Sequence, residues 1–247
     1  MWRRPRSRLF ATQATCRRQR VRLGWLAVDR LVWIDCEMTG LDLDRDALIE
    51  VAAIVTDFDL KPVAEGIEVV IKPPREALDQ MNDVVTEMHT ASGLITELDD
   101  GLALADAEQV VLDYVKQHVP EPRKAPLAGN SIGTDRAFLL RYMPELEGYL
   151  HYRVIDVSSI KELSRRWYPR AYFASPAKTG NHRALADIQE SIEELRYYRA
   201  AVFVPEPGPD SETAKAIAAE HAGSLRGQVE PSREQAEEPT RISDGEA

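Results

Sequence analysis

The sequence is poor in cysteine, and the cysteines that it has form no recognisable pattern. Among its 247 residues only Cys16 and Cys36 are cysteines. Their spacing matches no zinc-binding motif, and it predicts no disulfide framework. We therefore expect a protein of a reducing compartment.

Long apolar stretches are also missing. The sequence has no run of about 18 apolar residues, so no transmembrane helix is expected. Apolar residues still make up 44% of the chain, which is enough for an ordinary packed core.

An excess of positive charge is the third absence, since the formal net charge is −10. Proteins that grip long nucleic acids normally carry a basic stripe, and an acidic total argues against that mode of binding. It remains compatible with a small phosphate substrate, because bound metal cations can supply the positive charge.

The charge pattern predicts a folded domain over 29–203 between two unlike termini. Residues 1–28 hold eight arginines and no acid, which fits a disordered or untranslated extension. Three interpretations stay open: a mitochondrial transit peptide, a basic arm that binds nucleic acid, or translation that begins near Val28. We expect a cytoplasmic protein, or a mitochondrial one if the transit peptide is genuine.

The acidic, proline-containing segment 204–247 predicts a disordered tail, in which 211–223 has the composition of a short helix.

Apolar periodicity predicts the elements of the central domain. Strands are expected at 31–36, 48–57, 65–72, 124–130 and 152–158, and helices at 105–119, 133–143, 160–168 and 182–200. A strand meander followed by alternating strands and helices predicts an α/β fold, with a mixed sheet covered by helices.

Two carboxylates stand at the end of the first predicted strand. Asp35 and Glu37 are two residues apart, so they point to the same face. Adjacent carboxylates at the mouth of a cleft repel each other unless a cation lies between them, and divalent ions prefer oxygen ligands. Taken alone, the pair also suits a solvated strand end.

Three further candidates lie at the starts of predicted helices. Asp135 follows a glycine-containing loop, where the helix dipole alone would favour an acid. His182 and Asp187 would lie about 140° apart on one helix, so they converge more easily if His182 precedes it, as the loop chemistry of 179–181 suggests. A histidine near neutral pKa suits a general base, although a surface histidine beside a first-turn acid is the structural alternative.

These five residues and their surroundings resemble the DEDDh exonuclease superfamily, and within it the oligoribonuclease family. The resemblance implies an RNase H-like fold and 3′→5′ hydrolysis of short, 5′-phosphorylated single-stranded RNA, from di- to pentanucleotides, to nucleoside 5′-monophosphates. The matching stretches cover most of 31–199, and they are WIDCEMTGLD, EVAAIVTD, HTASGL, GNSIGTDRAFLLRYMPELEGYLHYRVIDVSSIKELSRRW and HRALADIQESIEELRYYR.

The resemblance also implies a two-metal mechanism. In it Asp35, Glu37, Asp135 and Asp187 hold two Mg²⁺ or Mn²⁺ ions, and His182 takes a proton from the attacking water.

Substrate-binding residues follow from the same resemblance. Ser131, Arg153 and His89 are expected to bind the 5′ phosphate, and Tyr152 is expected to act across a homodimer interface. Leu41 is expected to wedge against the bases. Surface placement of His89 and Arg153, and a buried turn leucine at Leu41, are the structural alternatives.

Two features depart from the family pattern. Val84 stands where oligoribonucleases often have tryptophan, and the connection 168–181 differs from the common one before the histidine.

Three other functions remain open at this stage. The chain would then be a DEDDh exonuclease for longer RNA or DNA, a non-catalytic binding module on the same fold, or a carboxylate-rich phosphatase.

Overall fold

The computed structural model describes residues 30–178 and 182–224. Five strands form one sheet, namely β1 (Leu31–Met38), β2 (Leu48–Thr56), β3 (Ile67–Val70), β4 (Pro126–Gly129) and β5 (His151–Asp156). Their spatial order is β3-β2-β1-β4-β5. The first three strands form an antiparallel meander, whereas β4 runs parallel to β1 and β5 runs parallel to β4. The predicted mixed sheet is confirmed.

Helices cover both faces of the sheet. They are α1 (Arg75–Asp79), α2 (Asp83–Ala91), α3 (Leu104–His118), α4 (Gly133–Tyr142), α5 (Pro144–Tyr149), α6 (Val157–Trp167), α7 (Pro169–Phe173), α8 (Ala184–Ala201) and α9 (Ser211–Ser224). Two single 3₁₀ turns, Leu94–Thr96 and Leu98–Asp100, connect α2 to α3. Within the described residues, no helix has the length and apolar character that a bilayer crossing requires.

The predicted strands and long helices are found within a few residues of their expected bounds. The sequence did not reveal α1, α2, α5 and α7, because helices of five to nine residues hold too few turns to show an apolar period. Helix α9 matches the short helix suggested for 211–223. The predictions for 1–28, 179–181 and 225–247 lie outside the described residues.

The two faces of β1 belong to two different cores. Val32 and Ile34 pack in the core that includes α3 and α4, whereas Trp33 packs in the core that includes α8. Since strand side chains alternate, Asp35 and Glu37 continue the face that α8 covers. The fold therefore places two acids at the open end of an apolar layer.

Strand β4 is short, and its length opens a crevice. It pairs with β1 only through Val32 and Trp33 of that strand. It ends at Gly129, where an added Cβ would lie 3.0 Å from the carbonyl oxygen of Ile34. Beyond this point β1 and β4 have no further ladder pair within the described residues, and a short loop leads from β4 into α4; this break in the pairing is the crevice.

Candidate active site

Three of the predicted metal ligands lie together at this crevice. Asp35 and Glu37 extend from β1, and Asp187 lies in the first turn of α8, which packs across the same face. One carboxylate oxygen from each of the three lies within 4.8 Å of the others. We call these three residues the acid cage.

Asp135 borders the acid cage from the other side of β1. It lies in the first turn of α4 and is 6% exposed. Its Oδ1 accepts a hydrogen bond from the backbone amide of Cys36 at 3.0 Å. That amide lies beyond the β1–β4 pairing, so a carboxylate takes the place of a strand and ties α4 to the cage.

Burial and mutual repulsion raise the pKa values of these acids. Burial first, and then the carboxylates of Asp135, Glu37 and Asp187, raise the pKa of Asp35 to about 9. Burial, followed by Asp187, raises the pKa of Glu37 to about 8. Burial also raises the pKa of Asp135 to about 6, although the Cys36 amide opposes the shift. Such a cluster must bind either protons or cations, and its oxygen ligands fit hard divalent ions.

His182 lies on the rim of the cage. It is exposed and stands two residues before the start of α8. This is the position from which His182 was expected to converge more easily with Asp187. Its backbone adopts a left-handed conformation with φ of 49°. Burial raises the pKa of Asp187, and His182 is one of the nearby groups that partly offset this rise.

His89 lies beneath the site rather than at the surface. It is fully buried on α2, and burial lowers its pKa. Its Nε2 is 2.9 Å from the carbonyl oxygen of Met38, and its Nδ1 is 4.0 Å from Oε2 of Glu37. Within the described residues, this Nδ1 is buried without a hydrogen-bond partner. His89 therefore faces the cage acid directly.

Leu41 is displayed by the loop between β1 and β2. It is 74% exposed, so the alternative of a buried turn leucine is wrong. Val84, at the start of α2, is 76% exposed. A loop leucine on this rim is free to contact a ligand.

The remaining substrate-binding candidates are not brought together within one chain. Ser131 follows β4 and donates its amide to Asp156 Oδ1 at 3.0 Å. Tyr152, which is 71% exposed, and Arg153 lie near the start of the edge strand β5. The parallel register pairs Gly129 with Asp156, so Ser131 and Arg153 lie at opposite ends of the β4–β5 pair.

Sequence reasoning missed the basic residues beside the cage. Burial and the neighbouring carboxylates raise the pKa of Asp35, and Lys178 partly offsets this rise. The Nζ of Lys178 lies 3.1 Å from Glu194 Oε2. Burial and the neighbouring carboxylates raise the pKa of Glu37, and Arg183 partly offsets this rise. The sequence did hold one indication of an acid that pairs with Arg183. Glu50 is the charged residue of the mostly apolar strand β2, and such a residue needs a partner of opposite charge.

Comparison with known proteins assigns the chain to a family. The exonuclease family RNase_T matches residues 32–195. The oligoribonuclease of Streptomyces coelicolor is 72% identical over 196 residues, which cover 79% of this chain and 98% of that protein. This chain belongs to the oligoribonuclease family of exonucleases. A more distant relative in this family, the oligoribonuclease of Mycobacterium leprae, is 59% identical over 197 residues, which cover 79% of this chain and 92% of that protein.

Solved structures of exonucleases share the fold of this oligoribonuclease family member. The zinc-bound complex of E. coli exonuclease I with single-stranded DNA has a TM-score of 0.55 at 14% identity, covering 82% of this chain and 45% of that one. Exonuclease I of Methylocaldum szegediense has a TM-score of 0.51 at 21% identity, covering 71% of this chain and 41% of that one. The likeness confirms the RNase H-like α/β fold.

Proposed function

We propose that the protein is a metal-dependent 3′→5′ exoribonuclease that hydrolyses short oligoribonucleotides, down to dinucleotides, to nucleoside 5′-monophosphates. The observation that carries this proposal is the acid cage beside His182, in a chain that spans 98% of a curated oligoribonuclease. Carboxylates gathered from distant parts of the chain repel one another unless they bind protons or cations, and paired divalent ions beside a general base are the arrangement that hydrolysis of a phosphodiester needs.

The cage residues suit a pair of Mg²⁺ or Mn²⁺ ions. Asp35, Glu37 and Asp187 would hold them, and Asp135 would complete the ligand set directly or through water. Such ions, when bound, would supply Lewis-acid chemistry at the attacking water and at the scissile phosphate.

The chain's own contribution to proton transfer is His182. Its exposed ring on the rim takes the proton of the attacking water.

Length selection requires a site for the 5′ phosphate, and we assign it to Ser131 and Arg153. Arginine offers a bidentate fork to phosphate, and the serine hydroxyl adds a donor. Because the register separates these residues within one chain, we infer a homodimer in which the edge strand β5 of a second copy delivers Tyr152 and Arg153 to the site. His89 is fully buried and faces Glu37, so its part in the site is to support that acid from beneath rather than to contact the phosphate. Leu41 keeps its proposed role as a wedge against the bases.

The test is product analysis on a 5′-phosphorylated dinucleotide beside a strand of about 20 nucleotides, with Mg²⁺ or Mn²⁺. We expect efficient conversion of the dinucleotide to 5′-monophosphates and slow attack on the long strand, because a closed phosphate site excludes longer chains. His182→Ala and Asp135→Ala should abolish turnover while circular dichroism stays unchanged.

Other outcomes favour the alternatives. Rapid digestion of the long strand without dinucleotide cleavage would indicate an exonuclease for longer substrates. Tight binding without turnover would indicate a binding module.

A further inference from the structure

A second charged cluster lies next to the acid cage, centred on Arg183. This arginine follows His182 and immediately precedes α8. Its guanidinium contacts three carboxylates: Nε is 3.0 Å from Glu50 Oε1, Nη1 is 2.9 Å from Glu97 Oε1, and Nη2 is 3.1 Å from Glu68 Oε2. These acids come from β2, from the 3₁₀ turns and from β3, so one side chain connects three separate parts of the fold to the start of α8.

The same acids cap α8 from outside the helix. Arg183 is the N-cap residue, and its side chain makes no capping bond. Instead, the amide of Ala184 donates to Glu50 Oε2 at 2.9 Å, and the amide of Leu185 donates to Glu68 Oε1 at 3.2 Å. Amides in the first turn of a helix have no partner within it, so these carboxylates hold the helix start against the sheet.

Glu50 places this cluster directly beside the catalytic acids. It is fully buried, and the β1–β2 register pairs it with Glu37. A buried carboxylate is strongly unfavourable unless it is paired and hydrogen-bonded, and Arg183 supplies that pairing. Without the arginine, Glu50 would be an uncompensated charge next to a cage residue.

The position of Arg183 along the chain explains what the cluster fixes. His182, the preceding residue, has a left-handed backbone, which is uncommon for residues other than glycine although histidine tolerates it better than most. Asp187 follows by one turn, and its amide donates to the carbonyl oxygen of Arg183 at 3.0 Å. Anchoring Arg183 therefore anchors both residues.

We propose that Arg183 is a positioning residue for the reaction: by binding Glu50, Glu68 and Glu97 it holds His182 and Asp187 in place beside the other cage acids. The roles of His182 and Asp187 in this statement rest on the proposed function. The positioning of the acid cage by Arg183 can be tested without catalysis, because it determines how tightly the cage binds divalent ions.

The experiment compares Arg183→Gln and Arg183→Lys with the control Arg199→Gln in the full-length chain. Arg199 lies in the last turn of α8, at the opposite end from Arg183, and it pairs with Asp59 and Glu206. Mn²⁺ binding is measured by calorimetry without substrate, and kcat and KM are measured on a dinucleotide.

For Arg183→Gln we expect Mn²⁺ binding to weaken about 10- to 100-fold, the scale typical for losing a residue that orients metal ligands, because Asp187 would no longer be held at a fixed helix start. We expect kcat to fall by a similar or larger factor. Arg183→Lys should recover part of both losses, because it restores one charged contact. Arg199→Gln should stay within about twofold of the unchanged protein on both measures, as expected for an exposed pair.

A second variant covers the case in which Arg183→Gln does not fold. Glu97→Gln removes the most exposed of the three acids, whose side chain is 45% exposed, and should weaken Mn²⁺ binding about threefold without loss of helical circular dichroism.

A folded Arg183→Gln protein with unchanged Mn²⁺ affinity would overturn the proposal. So would an activity loss that merely follows the fraction of unfolded protein. If the unchanged protein does not cleave dinucleotides, the proposed function fails, while the calorimetric arm still decides whether Arg183 positions the cage.

Discussion

At the residue scale, the acids of the cage are shaped by what surrounds them rather than by their own chemistry. Asp35 has three carboxylate neighbours and little contact with water, and its pKa rises to about 9. Without bound cations the site is therefore a source of instability, held in place by the surrounding core. Function and stability are opposed at this position, as is common in active sites.

Asp35→Asn separates these two effects. The amide keeps the shape and removes one charge, so kcat should fall on the order of 10³-fold or more, as when a key electrostatic group is lost. In EDTA at pH 9, by contrast, the Tm of the variant should exceed that of the unchanged protein by a few degrees. Differential scanning calorimetry measures the Tm, and Glu220→Gln on the exposed surface of α9 serves as the control. A variant Tm that is equal or lower would contradict the repulsion argument.

The raised pKa values also predict how stability depends on pH. Asp35, Glu37 and Asp135 titrate at about 9, 8 and 6 in the folded protein, above the values near 4 expected when unfolded. Between these limits the folded state binds more protons than the unfolded state, so the free energy of unfolding of the metal-free protein falls as pH rises.

Thermal unfolding in EDTA should therefore show a lower Tm at pH 9 than at pH 5. Mn²⁺ should reduce the difference, because ions replace the protons, and its binding at pH 7 should release protons. Calorimetry in buffers of different ionisation enthalpy detects that release. A Tm that rises steadily with pH in EDTA would sink the assignment of raised pKa values.

The sequence predicted the cage acids and missed their support for a physical reason. Asp35 and Glu37 were identified from strand alternation, which is local. Glu50 and Arg183 are 133 residues apart, and neither has a local pattern that names the other. Long-range ion pairs of this kind become visible only when the fold is known.

At the scale of elements, the loop that carries Leu41 is braced rather than loose. Asp46 Oδ1 accepts from the hydroxyl of Thr39 at 3.1 Å, and its Oδ2 accepts from the amide of Asp42 at 2.8 Å. The hydroxyl of Tyr142, at the end of α4, lies 2.7 Å from the carbonyl oxygen of Asp46. The loop is therefore tied to a helix that also carries Asp135.

Tyr142→Phe should loosen this loop without touching the cage. One lost hydrogen bond is worth about 1 kcal/mol, so KM for a dinucleotide should rise about fivefold while kcat changes little. Tyr149→Phe is the matched control, since its hydroxyl donates to the carbonyl oxygen of Val119 at 2.8 Å away from the site. If Leu41 acts as the wedge, adding Leu41→Ala to Tyr142→Phe should raise KM less than the two single effects combined.

Elements with a clear period were predicted well, and short connecting helices were not. The apolar face of α8 could be recognised from residues such as Ile188 and Ile192. Helix α2, which carries His89, spans only nine residues, so its position in the fold depends on how it packs against other elements. The buried position of His89 was therefore beyond reach of the sequence.

At the scale of the whole molecule, the β4–β5 register separates two residues of the proposed phosphate site. One chain places Ser131 at one end of the β4–β5 pair and Arg153 at the other. The sequence alone suggested a dimer only through family resemblance, because edge exposure is a property of the assembled sheet. Together with the proposed phosphate-binding roles of these two residues, the register is the structural reason for proposing a second copy.

Complementation tests whether Tyr152 acts on the partner's site. Tyr152→Ala and His182→Ala proteins should each be nearly inactive on a dinucleotide. Mixed dimers, formed by unfolding and refolding the two variants together, should recover about a quarter of the activity of the unsubstituted protein. Half of the dimers are then hybrid, and each hybrid has one complete site out of two. No recovery, with hybrid dimers verified by mass spectrometry, would place Tyr152 in its own chain's site.

The early end of β4 carries a wider consequence. Were this strand two residues longer, its carbonyl groups would reach the amide of Cys36, and Asp135 would lose its anchoring bond. The longer β1–β4 pairing would make the sheet continuous and would close the crevice beside the acid cage. The proposed chemistry thus depends on a β ladder that stops early, and a redesign of this scaffold for greater rigidity should not extend β4.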